Sequence, residues 1–408
     1  MTQTQSVVVT GLGVVDAGAW GMEAAAASFA APDPRPVEVD RSAGYHRGSR
    51  SHCALLVDRA PRRNWLSPMA ARRMSPASQY AVCAAKMAVE EAGLEPGNME
   101  GRTAVVLAST YGAVDTTEGI LRQIFLDGPE TISPALFTES VANAPAAQIA
   151  IALGARALNL TVTQRQASVA IALSRAKFEL AADRADRVLV GTVDEITPIL
   201  HAILDRFKAL AVPEDDGVER ARPFDRRRSG WLAAEGAVVA VLEREIDARQ
   251  RGARVLARLL GAGSAFDPEA PRTGWGKSPS ILADALRDYL AREKCETGMV
   301  NRVVTAAGGH PAADRLEGQL IREVWGESEV PPVLAPAAVS GAYGGSLLSA
   351  AILAAGNRAF GPTPGFGELD PDAGVIPHDG KELPPASHIL ATACAAGGAA
   401  GWALFESP

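Results

Sequence analysis

The sequence lacks the cysteine patterns of metal-binding and secreted proteins. It has four cysteines, Cys53, Cys83, Cys295 and Cys394, and no two of them stand at a CxxC spacing. Cysteines scattered in this way favour reduced thiols in a cytosolic protein over a zinc site or a disulfide framework. We therefore expect a cytoplasmic protein that binds no metal.

Long apolar runs are missing as well. No stretch reaches about 18 apolar residues without a charge, so we expect no membrane span. The N-terminal segment MTQTQSVVVTGLGVV has neither a basic region nor a long apolar core, which argues against a signal peptide.

The sequence also lacks an excess of basic residues. Its formal net charge is −7, which argues against a nucleic-acid-binding groove. Two short basic runs, Arg72-Arg73 and Arg226-Arg227-Arg228, predict solvated surface. Contact with an acidic protein partner is the alternative for the second run.

A nucleotide-binding motif is present only in part. The predicted strand Ser6–Thr10 is followed by Gly11-Leu12-Gly13, which begins like the GxGxxG of dinucleotide-binding proteins. Asp16 occupies the place of the third glycine. We therefore expect no bound cofactor.

Predicted strands and helices alternate in two successive halves of the chain. In the first half the pattern predicts apolar strands at 102–109, 187–191 and 231–243, helices at 75–92, 146–153 and 199–210, and a polar surface loop at 213–228. In the second half it predicts strands at 253–262, 303–307 and 332–335, helices at 279–294, 315–324 and 344–355, and a closing hairpin at 389–393 and 401–405. Strands this apolar do not face solvent, so we expect one α/β body with an internal duplication. We place its N-terminal half at 1–245 and its C-terminal half at 246–408.

The most informative stretch is a turn between a strand and a helix. Residues Asn159–Thr163 predict a buried strand, and from Ala167 the Ala-rich sequence predicts a buried helix. Many α/β enzymes place a nucleophile at such a turn, because the free N–H groups of the first helical turn stabilise an anion. Here the turn is Gln164-Arg165-Gln166, and glutamine is a poor nucleophile. The sequence thus predicts the scaffold of an active site without its attacking atom.

Three segments resemble the β-ketoacyl synthases of fatty-acid and polyketide assembly. They are VVVTGLGVV at 7–15, NAPAAQIAIALGA at 143–155 and RPFDRRRSGWLAAEGAVVAVLE at 222–243. The resemblance spans nearly the whole chain. It implies a thiolase-like fold with a duplicated five-layer αβαβα arrangement and a dimer formed through the sheet edges.

The resemblance also implies an active site of one Cys, two His and one Lys, and each of these is replaced here. By position, Gln166 stands for the nucleophilic Cys, and Ala306 in AAGGHPAAD stands for the first His. Ala337 and Ala342, in AAVSGA, stand for the Lys and the second His, and Ala396 in CAAGG stands for a gating Phe. Claisen condensation needs a thiolate to hold the acyl chain and donors aimed at the enolate. Alanine supplies neither, so the comparison implies no catalytic residue.

Glutamine at the turn, with both His and the Lys absent, resembles the chain-length factor of type II polyketide synthases. This resemblance implies a heterodimer with an active ketosynthase, and an acyl carrier protein that is met directly or through the ketosynthase. It also implies a chain-length gate at Val114, Thr117 and Leu121, which share one face of a predicted helix. Core packing is the alternative for these three residues. Val114 and Thr117 are small, so we expect a deep tunnel that suits a long or reduced, polyene-type chain.

Two further functions stay open. One is a divergent acyltransferase or hydrolase that uses His310, Cys394 or Gln166 in an unfamiliar geometry, and the other is a stand-alone protein that binds acyl chains. His310 precedes Pro311 in a predicted loop, which favours a structural histidine. Cys394 lies in a Gly- and Ala-rich turn, and the nearest candidate base, His388, precedes the strand that leads into it. This placement favours an inert, packed thiol.

Overall fold

The structure, a computed structural model, describes residues 6–95, 99, 101–326 and 329–408. Residues 1–5, at the start of the segment MTQTQSVVVTGLGVV in which we expect no signal peptide, lie outside the described residues. The strands are β1 Val7–Val15, β2 Val37–Glu38, β3 Cys53–Leu55, β4 Thr103–Ala108, β5 Asn159–Val162, β6 Arg187–Asp194, β7 Ala233–Ala234, β8 Gly236–Arg244, β9 Ala257–Phe266, β10 Val300–Thr305, β11 Val333–Leu334, β12 His388–Cys394 and β13 Ala399–Glu406. The helices are α1 Met22–Ala30, α2 Pro68–Ala71, α3 Pro76–Glu91, α4 Val114–Asp127, α5 Pro134–Phe137, α6 Ala144–Leu153, α7 Ser168–Ala181, α8 Pro198–Arg206, α9 Glu245–Gln250, α10 Pro279–Arg292, α11 Pro311–Trp325, α12 Ala337–Ser340 and α13 Gly344–Ala355.

A ten-stranded sheet runs through the molecule in the order β11-β10-β12-β13-β9-β1-β8-β6-β4-β5. Strand β1 pairs antiparallel with β8 over its length and with β9 over residues 7–9, so it joins the strands of the two halves. A small sheet, β2-β3-β7, lies apart from the large one. The predicted α/β class and the closing hairpin of β12 with β13 are confirmed.

Three hydrophobic cores divide the molecule into layers. Helices α3 and α6 pack on one face of β1, β4, β6 and β8. Helices α7 and α13 pack between the opposite face of those strands and β10, β12 and β13. Helices α10 and α11 cover the remaining face of the C-terminal strands. The order of layers is therefore αβαβα, as the resemblance to the thiolase-like fold implies.

The glycine pair at the N-terminus is not a turn, and this corrects the strand that was predicted to end at Thr10. Strand β1 continues through Gly11 and Gly13 to Val15. A Cβ atom on Gly13 would lie 1.9 Å from the Ala84 carbonyl oxygen of α3. The glycines therefore let a helix approach the strand closely.

Two predictions of burial are also corrected. Strand β5 lies at the edge of the sheet, and among the described strands it pairs only with β4. No described strand covers the outer edge of β5, and Asn159 at its start is exposed. Residues 213–228 are not wholly a surface loop. Phe224 and Asp225 are fully buried, and the Asp225 carboxylate accepts hydrogen bonds from the N–H groups of Gly367 and Glu368 at 2.7 and 2.8 Å.

Candidate functional site

The sharp turn predicted between strand and helix is present. Strand β5 ends at Val162, a 3₁₀ turn covers Arg165–Ala167, and α7 begins at Ser168. Arg165 has φ of 51°, in the left-handed region, so the chain reverses direction there. The Ser168 hydroxyl accepts a hydrogen bond from the Gln164 N–H at 2.6 Å and fixes the turn. We call residues 164–166 the elbow.

The elbow places Gln166 in a small cavity of about 30 Å³. The same cavity is lined by Ala306, which follows β10, by Ala337, which begins α12, and by Ala342, which precedes α13. All four positions that the resemblance matches to reacting groups therefore meet at one place. Space of this size holds about one or two water molecules, which is too little for an acyl chain.

Two features of the cavity lining describe its chemistry. The Gln166 Oε1 atom is buried and has no hydrogen-bond partner among the described residues. Of the described residues that line the cavity, none is Lys, Arg or His, so none supplies a cation. The methyl groups of Ala306, Ala337 and Ala342 offer no donor to an enolate at the positions that the resemblance matches to the His and Lys residues.

Ala396 lies beside the cavity and does not line it. It belongs to the turn between β12 and β13, and its carbonyl oxygen accepts a hydrogen bond from Arg165 Nη1 at 2.7 Å. This contact ties the turn to the elbow, although the Ala396 side chain cannot act as a gate over it.

Glu317 of α11 is a cavity residue that sequence reasoning missed. It is 2% exposed, and its Oε1 accepts hydrogen bonds from the Thr392 hydroxyl at 2.6 Å and the Ala306 N–H at 3.2 Å. Burial raises the pKa of Glu317 to about 8, because the charged form loses its hydration. The signal was a carboxylate on the apolar face of α11, at helical spacing from Ala313 and Leu320.

The raised pKa of Glu317 predicts pH-dependent stability. The folded protein keeps this proton up to about pH 8, whereas the unfolded chain releases it near the ordinary value of 4.5. The stabilisation is therefore complete below the unfolded pKa and is lost as pH rises through the folded pKa, at up to about 1.4 kcal/mol per pH unit. Glu317→Gln should gain stability relative to the wild type between about pH 5 and pH 8 in urea unfolding. Glu323→Gln, an exposed position on the same helix, is the control. A Glu317→Gln difference that is constant with pH would contradict the assignment.

His310 and Cys394 are held in structural roles. His310 Nδ1 accepts a hydrogen bond from the Ala313 N–H at 3.3 Å and caps α11, and burial lowers the pKa of its imidazole to about 4. Cys394 lines the cavity but is buried, and burial together with the nearby Glu317 raises the pKa of its thiol well above the ordinary range. His388 is at the opposite end of β12 from Cys394. Neither residue forms a nucleophile–base pair.

The three gate positions lie on α4 as predicted, but none of them lines the cavity. Val114 packs against the same hydrophobic cluster as Tyr111, which does line the cavity. The Thr117 hydroxyl donates a hydrogen bond to the Ala113 carbonyl at 2.6 Å, and the Leu121 side chain is 46% exposed. Helix α4 therefore starts beside the cavity and leads away from it to the surface.

The outer part of α4 carries apolar side chains in solvent, which we call the α4 face. Leu121 and Phe125, one helical turn apart, form it, and Phe125 is 81% exposed. Phe137 of the neighbouring α5 is exposed as well. Clusters of exposed apolar residues are typical of interaction surfaces.

The basic runs differ in their pairing. Arg226 forms an ion pair with Glu368 at 2.5 Å, Arg227 pairs with Asp225, and Arg228 pairs with Asp370. Arg72 and Arg73 are exposed. The second run is thus largely occupied within the chain.

Membrane-spanning helices and metal-binding clusters are both absent from the part of the chain that the structure describes. No helix in that part of the chain is both long and apolar enough to cross a membrane. No group of three or more His, Cys, Asp or Glu side chains there is arranged to hold a metal ion.

Known proteins resemble the whole chain. Residues 4–248 match the family profile described as "Beta-ketoacyl synthase, N-terminal domain". The chain is 25% identical to 3-oxoacyl-[acyl-carrier-protein] synthase 2 of Vibrio cholerae over 98% of both chains. It is 28% identical to the granaticin polyketide putative beta-ketoacyl synthase 1 of Streptomyces violaceoruber over 93% of both.

A solved structure is also similar to the chain over nearly its whole length. The ishigamide ketosynthase/chain length factor superposes with a TM-score of 0.88 at 27% identity, covering 99% of both chains. Similarity of this extent includes both halves of the molecule. With its layers, its elbow and a profile match over more than half of its length, the chain belongs to the β-ketoacyl synthase family.

Proposed function

We propose that this chain is a non-catalytic chain-length factor, which pairs with an active ketosynthase in a type II polyketide synthase and shapes the acyl tunnel. The observation that carries the proposal is the composition of one cavity. Gln166, Ala306, Ala337 and Ala342 meet there, at the positions that the family fills with reacting groups. The structural similarity to the ishigamide ketosynthase/chain length factor supports the same role.

The chemistry of condensation supports an inactive subunit. Acyl transfer needs a nucleophile at the elbow, and the amide of Gln166 cannot form a thioester. Decarboxylation of a malonyl unit needs donors at the developing enolate, and the methyl groups of Ala306 and Ala342 offer none. The chain can therefore contribute a wall of the acyl tunnel, and it takes no part in the reaction.

The partner surface that we propose consists of the α4 face and the free edge of β5. An uncovered edge strand presents unpaired N–H and C=O groups that another strand can pair with. The exposed Phe125 of α4 adds apolar area. Both features fit one occupant, the active ketosynthase subunit. The halves 1–245 and 246–408 form one body, and we propose their boundary where β8 gives way to α9.

Val114, Thr117 and Leu121 are proposed as the gate because α4 runs from the cavity to this surface. Their small or aliphatic side chains leave room for a deep tunnel, which suits a long or reduced, polyene-type product. The gate thus lies between the degenerate cavity and the partner.

The relative from Vibrio cholerae has acyl carrier protein in its name, and we propose such a carrier as a second partner. The carrier reaches the complex through the active subunit or meets this chain directly. In the second case Arg72 and Arg73 are better placed than Arg226, which already pairs with Glu368.

The alternatives find less support. A divergent acyltransferase needs an ionisable, accessible thiol, and Cys394 is buried with a raised pKa. A stand-alone acyl-binding protein needs a large cavity, and the one beside Gln166 has about 30 Å³.

Co-expression tests the proposed role. Expressed alone, the chain should be poorly soluble or should form a weak homodimer, because the α4 face stays in water. Co-expressed with its cognate ketosynthase, it should purify as a 1:1 complex on size exclusion. Phe125→Asp should weaken that complex, whereas Phe178→Asp, an exposed Phe on α7, should not. A stable monomer that forms no complex with any ketosynthase encoded beside it would contradict the proposed role as a chain-length factor.

A further inference from the structure

Three aromatic rings pack together beside the cavity. The rings of Trp231 and His310 are 4.9 Å apart between centroids, and those of Trp275 and His310 are 5.4 Å apart. Trp231 and Trp275 meet edge to face at 6.3 Å. We call these three residues the aromatic plug. Ring pairs at such distances attract each other beyond the effect of their burial.

The plug borders both the cavity and solvent. Trp231 and Trp275 both line the cavity that holds Gln166. Trp231 is 9% exposed, whereas Trp275 is half-buried and belongs to the loop 267–278 between β9 and α10. The neighbouring Arg272 and Lys277 are exposed. Trp275 is therefore the plug residue that has water on one side and the cavity on the other.

Backbone contacts hold the loop against the elbow. The Gly274 carbonyl accepts a hydrogen bond from the Gly397 N–H at 2.7 Å, and the Gly398 carbonyl accepts one from the Asp267 N–H at 2.8 Å. Arg165 Nη1 donates to the Ala396 carbonyl at 2.7 Å. The loop, the β12–β13 turn and the elbow are thus tied in series.

The third ring of the plug, the imidazole of His310, packs there as an uncharged group. Burial lowers the pKa of His310 to about 4, so the imidazole is neutral at pH 7 and packs without a charge. Its Nδ1 is engaged in capping α11. His310 is held in place by the helix that it caps.

We propose that the aromatic plug closes the passage from solvent to position 166, so that access to this cavity is blocked independently of the lost reacting groups. A substrate arm does not reach the elbow while Trp275 stays packed on His310. A cavity closed in this way takes no part in holding an acyl chain. This inference concerns access alone, and it stands even if the chain pairs with nothing.

Alkylation of an introduced thiol tests the plug. In the full-length protein, Gln166→Cys places a thiol in the cavity, and iodoacetamide labelling of that peptide is followed by mass spectrometry. Adding Trp275→Ala should raise the labelling rate at least about tenfold, the factor that corresponds to about 1.4 kcal/mol. Rates taken at two pH values separate access from thiol ionisation. Equal rates with and without Trp275→Ala would overturn the proposal.

Matched variants make the result specific. Gln166→Cys with Trp65→Ala removes a half-buried indole far along the chain, beside Lys86 of α3, and should label as slowly as Gln166→Cys alone. Acceleration by both tryptophan variants would mean general loosening and would also overturn the proposal. If Trp275→Ala does not fold, Trp275→Leu keeps an apolar side chain there and should give an intermediate rate. The wild-type protein reports any labelling of Cys394, which lines the same cavity.

Discussion

Gln166→Cys is expected to leave the isolated chain without measurable condensation. The new thiol would sit in a buried cavity, where desolvation keeps it protonated, as it does the thiol of Cys394. No imidazole is present among the described residues that line the cavity, either to accept its proton or to stabilise the enolate. Removing one oxyanion donor costs about 10²–10³ in rate, and reacting groups act as a unit. We expect activity at least about 10⁴ below that of an active synthase.

The measurement is product formation from malonyl-loaded carrier, followed by mass spectrometry. An active β-ketoacyl synthase under the same conditions is the positive control. Adding Ala306→His and Ala342→His to Gln166→Cys should raise the rate above that of the single variant only when Trp275→Ala also opens the aromatic plug, because two donors then return to a cavity that substrate can enter. Turnover by Gln166→Cys alone at a rate near that of the control would show that the alanines are not the cause of inactivity.

Leu121→Trp is expected to shorten the product of the complex by at least one two-carbon extension. Leu121 is nearly half exposed on α4, so a larger side chain can extend away from this chain without displacing its own core. An indole there would fill space that the growing chain occupies, and overpacking a filled wall is unfavourable by about 1–3 kcal/mol. Val114→Phe should act in the same direction but with some loss of stability, because Val114 packs against a buried cluster that contains Leu200 and Trp231.

Leu126→Trp is the matched control for the gate. Leu126 is an exposed leucine of the same helix, five positions further on and therefore on a different side. It should leave product length unchanged. Products of wild-type length from an intact complex with Leu121→Trp would contradict the gate assignment, but they would not contradict the proposed role as a chain-length factor.

The elbow and the layers were open to prediction for physical reasons. The change from alternating residues in Asn159–Thr163 to an Ala-rich run is local, and local patterns determine where a strand gives way to a helix. Ala306, Ala337 and Ala342 are far apart in sequence. Motif resemblance, not periodicity, pointed to them. Folding brings them together beside Gln166, because the end of β10, the start of α12 and the start of α13 meet there.

Other features depend on contacts that the sequence does not display. Glu317 looks like any helix carboxylate until α11 buries it against β12. Trp275 belongs to a loop of polar composition, and its place in the aromatic plug depends on Trp231 and His310. The exposure of β5 has a similar origin, because a strand pattern does not tell whether a second neighbour is supplied by the same chain.

Condensation by the purified chain, free of any partner, tests its proposed inactivity most directly. With malonyl-loaded carrier and a primed acyl group, the chain alone should give no condensed product, and the 1:1 complex with its ketosynthase should give product under the same conditions. Condensed product from the chain alone would contradict the conclusion that its cavity, with Gln166, Ala306, Ala337 and Ala342, has lost the groups of the reaction.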